Sequence, residues 1–163
     1  MMTITRRTFL AVSALAFAPA AAAVASAPSG EVVLTVRGNG GAVTFDMAML
    51  EAMPKTSFVT SSPWTEDGTA FEGVALKDLI AAAGATGTML TARALNEYSA
   101  TWPVSEAVSS GAIIAYKMNG DYMSVREKGP LWIVFPFDDR PELKTETNYS
   151  RCVWQLASID IAD

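Results

Sequence analysis

The chain has 163 residues, half of them hydrophobic, with 17 acidic against 12 basic side chains, one cysteine and no histidine. A net charge of −5 with no basic block argues against nucleic acid and anionic lipid as partners. The missing histidine removes the usual general base, the usual zinc ligand and every Ser-His-Asp or Cys-His arrangement, and a lone Cys152 cannot form an internal disulfide.

Thr5-Arg6-Arg7-Thr8-Phe9-Leu10 has the paired-arginine pattern of a twin-arginine export signal. An Ala-rich run from Ala11 to Ala25 follows, shorter than the roughly 20 apolar residues of a membrane span. Ala23-Val24-Ala25 before Ser26 is a better small-x-small cleavage site than Ala25-Ser26-Ala27, which Pro28 would follow. A general secretory signal with two arginines in its basic region is the alternative; either predicts export to the periplasm. The expected division is a cleavable signal over residues 1–25 and one domain over 26–163. No second apolar stretch approaches spanning length, so no membrane insertion is expected after cleavage.

The remainder reads as short strands and a few short helices. Glu31–Arg37 is β-branched and closed by Gly38-Asn39-Gly40-Gly41; Val43-Thr44-Phe45 follows, with Asp46 as N-cap of a helix over Met47–Met53 that Pro54 stops. Lys55–Thr60 is a strand ending in the polar loop 61–68, which carries the single aromatic Trp64. Phe71–Val74 leads into a helix over Leu76–Ala83, with Gly84 past its end. Met89–Leu95 is a strand opening into the loop Asn96–Pro103, and Ser105 is placed to cap a short helix through Val108. Asn119-Gly120 between Ile113–Met118 and Asp121–Val125 is a hairpin signature. Leu131–Phe135 is a continuous apolar run, expected as a central strand buried on both faces, and Val153–Ile161 is a final strand. The whole predicts a single α+β domain in which strands dominate.

Leu50-Glu51-Ala52-Met53-Pro54, Phe71–Ile80, Ala94–Tyr98, Asn119-Gly120-Asp121 and Gly129–Pro136, taken in order, resemble the oxidoreductase molybdopterin-binding domain, the sulfite oxidase fold. The resemblance implies mixed, mainly antiparallel sheets with a few short flanking helices, and a pterin cleft made by loops at strand ends. Molybdenum members of that family hold the metal through a cysteine in the loop that here reads Thr60-Ser61-Ser62-Pro63-Trp64, with no thiol. A hydroxyl stays protonated at neutral pH and is a poor substitute for a soft thiolate. Their cofactor-anchoring His-Gly-x-Pro-x-Arg element corresponds to Lys128-Gly129-Pro130-Leu131-Trp132, without the histidine and with tryptophan near the arginine's place. Their Lys-rich turn for the phosphate arm corresponds to Tyr149–Trp154. This pattern resembles a small periplasmic subfamily that binds free pterins, some of whose members partner membrane-bound cyclic di-GMP enzymes. Molybdopterin itself is then not the expected ligand.

A free reduced pterin is a flat bicycle that needs aromatic faces for stacking and an acceptor for its guanidine-like edge. Candidate ligand-binding residues are therefore Ser61, Ser62 and Trp64; Asn96, Glu97 and Tyr98; Trp132; and Arg151 with Trp154. Each also has a plain structural reading: surface cover for Trp64, turn chemistry for 96–98, core packing for Trp132, a surface ion pair for Arg151. Trp102 reads as a packing lid, Asp138 and Asp139 as a solvated loop or an acceptor pair, and Cys152 as a small buried hydrophobe. No catalytic residue and no metal ligand is expected. The expected function is a non-catalytic periplasmic pterin sensor with the periplasmic domain of a membrane signalling protein as partner. Its alternatives are a molybdopterin-dependent oxidoreductase, or its cofactor-binding subunit, and a pure scaffold whose own tryptophans fill the cleft.

Overall fold

The β-branched Val32, Val33, Thr35 and Val36 extend the chain as β1 (Val32–Gly38), which turns back at Gly41 into β2 (Gly41–Asp46). Gly41 takes φ 118°, which a side chain would resist. The computed structural model describes residues 27–163; the expected export signal lies outside the described residues. Asp46 ends β2 and caps α1 (Met47–Ala52), its carboxylate accepting the backbone N–H groups of Met49, Gly30 and Ser29, each at 2.8 Å. Those hydrogen bonds, that from Met49 first, hold the carboxyl below its ordinary range.

Five strands form the first sheet in the order β2–β1–β10–β5–β6, with β10 (Leu156–Ala162) parallel to β1 and antiparallel to β5 (Met89–Ala94), which pairs with β6 (Ser99–Pro103). The second sheet runs β3 (Lys55–Thr60), β4 (Thr69–Ala75), β7 (Ile113–Met118) and β8 (Asp121–Tyr122), all antiparallel; β9 (Trp132–Val134) also pairs with β7. Three short helices flank these sheets, α2 (Leu76–Ala82), α3 (Val104–Ser109) and α4 (Glu146–Ser150). The architecture is α+β, mainly antiparallel with one parallel pair. Among the described residues no helix is long and apolar enough to cross a membrane.

Period-two alternation divides the interior. Along β7, Ile114 and Tyr116 face the main core with Leu34, Leu50, Leu79 and Ile159, whereas Ile113 and Ala115 face a second cluster with Phe71, Val134 and Trp132. The second sheet is therefore covered on both faces. At its centre β4 crowds β7 so closely that a Cβ on Gly73 would lie 2.0 Å from the Ile114 carbonyl oxygen.

The structure corrects several local expectations. Leu131–Phe135 is buried throughout, but its strand spans only Trp132–Val134 and lies beside β7 at the sheet's edge. Residues 152–156 cover that edge: the N–H groups of Ile133 and Leu156 donate to the carbonyls of Val153 and Leu131, and Trp132 bridges Trp154. Burial, not a central position, produces the apolar run. Ser105 lies inside α3, whose N-cap is Pro103 with no side-chain cap. The Asn119-Gly120 hairpin forms, but β8 keeps two residues before a 3₁₀ turn over Val125–Glu127. Residues 99–103, expected as loop, are strand β6, and α4 carries no signal beyond its cap Thr145, whose hydroxyl accepts from Asn148.

Candidate functional site

Two loops and a strand place three indoles on the outer face of the second sheet. Trp64 comes from the β3–β4 loop, Trp132 from β9 and Trp154 from the segment before β10. Their ring centroids lie 5.5 Å (Trp64–Trp154), 6.4 Å (Trp132–Trp154) and 6.5 Å (Trp64–Trp132) apart, all edge-to-face. Tyr149 stands against Trp64 at 6.0 Å and Phe71 supports Trp132 at 5.3 Å. Each such contact contributes about 0.5–1.5 kcal/mol beyond area burial, so the cluster braces itself. Trp132 is its floor: 1% exposed, with Nε1 donating to the Cys152 carbonyl at 3.2 Å. The Lys128 ammonium lies 5.7 and 5.9 Å from the Trp132 and Trp154 rings.

Trp64 is a wall of two clefts. The first, about 190 Å³, is lined by Trp64, Asn96, Tyr98, Tyr149, Ser150, Cys152 and Trp154. The second, about 230 Å³, is lined by Trp64, Thr65, Glu66, Thr69, Met118, Asn119 and Lys128. The first is smaller than the ~300–1,000 Å³ pockets that take drug-sized ligands, which suits one flat bicycle between aromatic walls. Its polar side chains are Asn96, Ser150 and the two tyrosine hydroxyls, and the Tyr98 hydroxyl donates to the Ser150 carbonyl at 2.6 Å.

Backbone strain gathers here. Among the described residues four non-glycines take positive φ: Glu97 (68°), Asn119 (51°), Lys128 (73°) and Gln155 (50°). Asn119 and Lys128 line the second cleft; Glu97 lies between Asn96 and Tyr98, and Gln155 follows Trp154, all of the first cleft. At Asn119 the Asn-Gly turn itself requires it; at the other three such a conformation costs of order 1 kcal/mol or more and persists where surrounding structure imposes it.

The nine candidates from the sequence divide accordingly. Trp64, Asn96, Tyr98 and Trp154 line the first cleft, and Trp132 lies beneath it. Glu97 is exposed and lines neither cleft; its left-handed backbone turns the loop. The two serines shape the Trp64 loop from behind. Ser61 donates its N–H and hydroxyl to Asp138, each at 2.8 Å, and Ser62 Oγ lies 2.8 Å from Thr65 Oγ1 and accepts from the Trp64 N–H. Lys144 donates to the same Asp138 carboxylate at 2.8 Å; with Ser61 it holds that carboxyl below the usual range. Arg151 turns to Glu106, at 2.7 Å, outside both clefts. Tyr149, Ser150, Cys152, Asn119 and Lys128 line the clefts without having been among the nine candidates. Tyr149 and Cys152 carried a signal of sorts, since they share a turn with Trp154.

These residues do not fit a molybdenum-bearing pterin. The loop after β3 offers only hydroxyls already hydrogen-bonded. Cys152, the one thiol on the first cleft, is 4% exposed and its pKa is pushed up to about 12 by burial, which disfavours the thiolate a metal would need. Among the described residues no three His, Cys, Asp or Glu side chains are grouped to hold a metal ion. A phosphate arm would also find no cation on the first cleft.

The sequence profile of the oxidoreductase molybdopterin binding domain matches residues 23–137. No curated protein matches the chain significantly. Among solved structures the fold is similar to the sulfane dehydrogenase SoxCD from Paracoccus pantotrophus, with TM-score 0.63 and 20% identity over 80% of this chain. The chain spans 38% of that protein's length, and identity this low carries the sulfite-oxidase-like fold alone.

Proposed function

From the premise that the chain belongs to the oxidoreductase molybdopterin binding domain family, we propose that it is a non-catalytic, pterin-binding sensor of the periplasm. The observation that carries this reading is the first cleft: aromatic walls from Trp64, Tyr149 and Trp154, room for one flat ring system, and no thiolate or cation for the rest of a molybdenum cofactor. Such a cleft suits the bicycle that free pterins share with the family's cofactor. Arg6-Arg7 and the Ala-rich run support export. The partner in this reading is the periplasmic domain of a membrane-bound cyclic di-GMP enzyme, on the strength of the subfamily resemblance.

Titrating the purified protein with tetrahydrobiopterin while following tryptophan fluorescence tests the reading. Saturable quenching with Kd below roughly 100 μM is expected, and its absence overturns the proposal. Trp64→Ala should weaken binding by at least about fivefold, because stacking on one ring contributes ~1–3 kcal/mol. The alternative, a molybdopterin-dependent oxidoreductase, draws support from the family itself and from twin-arginine export; stoichiometric molybdenum in the purified protein would establish it.

A further inference from the structure

The segment from Asn148 to Trp154 borders two cavities. Tyr149, Ser150, Cys152 and Trp154 line the first cleft, whereas Asn148 and Arg151 line a separate crevice of about 150 Å³ with Trp102, Glu106, Ser110 and Phe135. Trp102 is 1% exposed, and its Nε1 is the one buried side-chain polar atom among the described residues without a hydrogen-bond partner. That atom is closed to solvent, so the indole meets the crevice as an apolar wall. The Arg151 guanidinium lies 5.7 Å from the centroid of the same indole, on a side chain only 15% exposed. Only its Nη1 is engaged, by Glu106 at 2.7 Å and Asn148 at 3.0 Å; Nε and Nη2 donate to no described residue. The Ser110 hydroxyl is already satisfied, donating to the Ala107 carbonyl and accepting from the Ala112 N–H.

The crevice thus holds spare donors on Arg151, and its one carboxylate, Glu106, is 53% exposed. A ligand must supply acceptors in a plane to match the guanidinium fork, and it must be small. Glu106 already offsets one positive charge, which favours a monoanion over a phosphate dianion. We propose that this crevice is a binding site for a small carboxylate, with Arg151 as the fork and the Trp102 ring as its wall. This site is independent of pterin binding in the first cleft.

Acetate is the probe. In proton–nitrogen NMR spectra of the purified protein, the Trp102 indole signal is assigned by its loss in Trp102→Phe, and acetate replaces chloride at constant ionic strength. A saturable shift of that signal is expected. Glu106→Gln, which removes a competing carboxylate from a half-exposed position, should tighten acetate binding by about fivefold. Arg151→Gln should abolish it, and the Glu106 variant keeps the test sound if loss of Arg151 harms folding. A signal that moves without saturation, or equally with chloride, or binding no tighter in Glu106→Gln, overturns the proposal.

Discussion

The Tyr98 hydroxyl reaches from the β5–β6 turn to the backbone carbonyl of Ser150, at 2.6 Å, and ties that turn to the end of α4 along the first cleft. Tyr98 is 47% exposed, so the tie is made at the cleft's wet margin. An exposed hydrogen bond contributes little to global stability, toward the lower end of ~0.5–1.5 kcal/mol, because water replaces it. Its removal should therefore act locally. Tyr98→Phe is expected to change the thermal midpoint by no more than about 2 °C, while exchange of amide protons at 148–151 speeds up markedly. Hydrogen-exchange mass spectrometry checks this; unchanged exchange would show that α4 is held by other contacts.

Gly73 should tolerate no side chain. Its missing Cβ leaves the space into which the Ile114 carbonyl fits, and a methyl group there would collide with backbone that cannot rotate away. Gly73→Ala is expected to destabilise the protein by at least about 3 kcal/mol, the upper range for overpacking. Gly40→Ala, where a Cβ meets nothing within 4 Å, serves as the control. Urea midpoints for the two variants decide the matter.

Acid should loosen the Trp64 loop. The Asp138 carboxyl, held low by Lys144 and Ser61, has a folded-state pKa below its unfolded value. Its contribution is present above the ordinary aspartate value of about 3.9 and is lost as pH falls through the lower, folded-state value. Asp46, also held low, adds to the same trend at the start of α1. Thermal midpoints measured from neutral pH downward should fall in that acid range, and Asp138→Asn should flatten part of the slope.

Cys152 should be inert in the native protein. With its pKa pushed up to about 12, the thiolate fraction at pH 8 falls more than about a thousandfold below that of a free thiol. Ellman's reagent is expected to label the protein only after denaturant is added. The raised pKa also means that the folded state keeps a proton which the unfolded state releases above pH ~8.5, so stability should decline as pH rises beyond that point. Rapid labelling in native buffer would show that the first cleft opens to the thiol.

Much of the fold was legible because local chemistry and tertiary structure agree. The Asp46 cap, the Pro54 stop, the Asn119-Gly120 turn and Gly84 beyond α2 all act within a few residues. The edge position of β9 was not legible, because burial by residues 152–156 and a central place in a sheet leave the same apolar run. The aromatic half of the first cleft could be read in Trp64, Trp154 and Tyr98, large side chains in polar loops. Ser61 could not be placed, since its partner Asp138 lies 77 positions away and nothing near either residue marks the pairing. Arg151 illustrates the same limit: its neighbours on both sides line the first cleft, and only the position of α3 turns it toward Glu106.

The place of β10 in the first sheet sets an order of assembly. It lies between β1 and β5, so the hairpin of β1 and β2 and the pair β5–β6 share no edge until residues 156–162 have been synthesised. Without that strand the chain holds two half-sheets with unsatisfied borders, and the pairing that joins them spans more than a hundred residues, as between Thr35 and Ser158. Loop closure over such a distance is slow compared with local pairing, which makes the joining of the two halves a late step of folding. Until that step the chain exposes both inner edges of the first sheet, the borders through which two such half-sheets could pair wrongly.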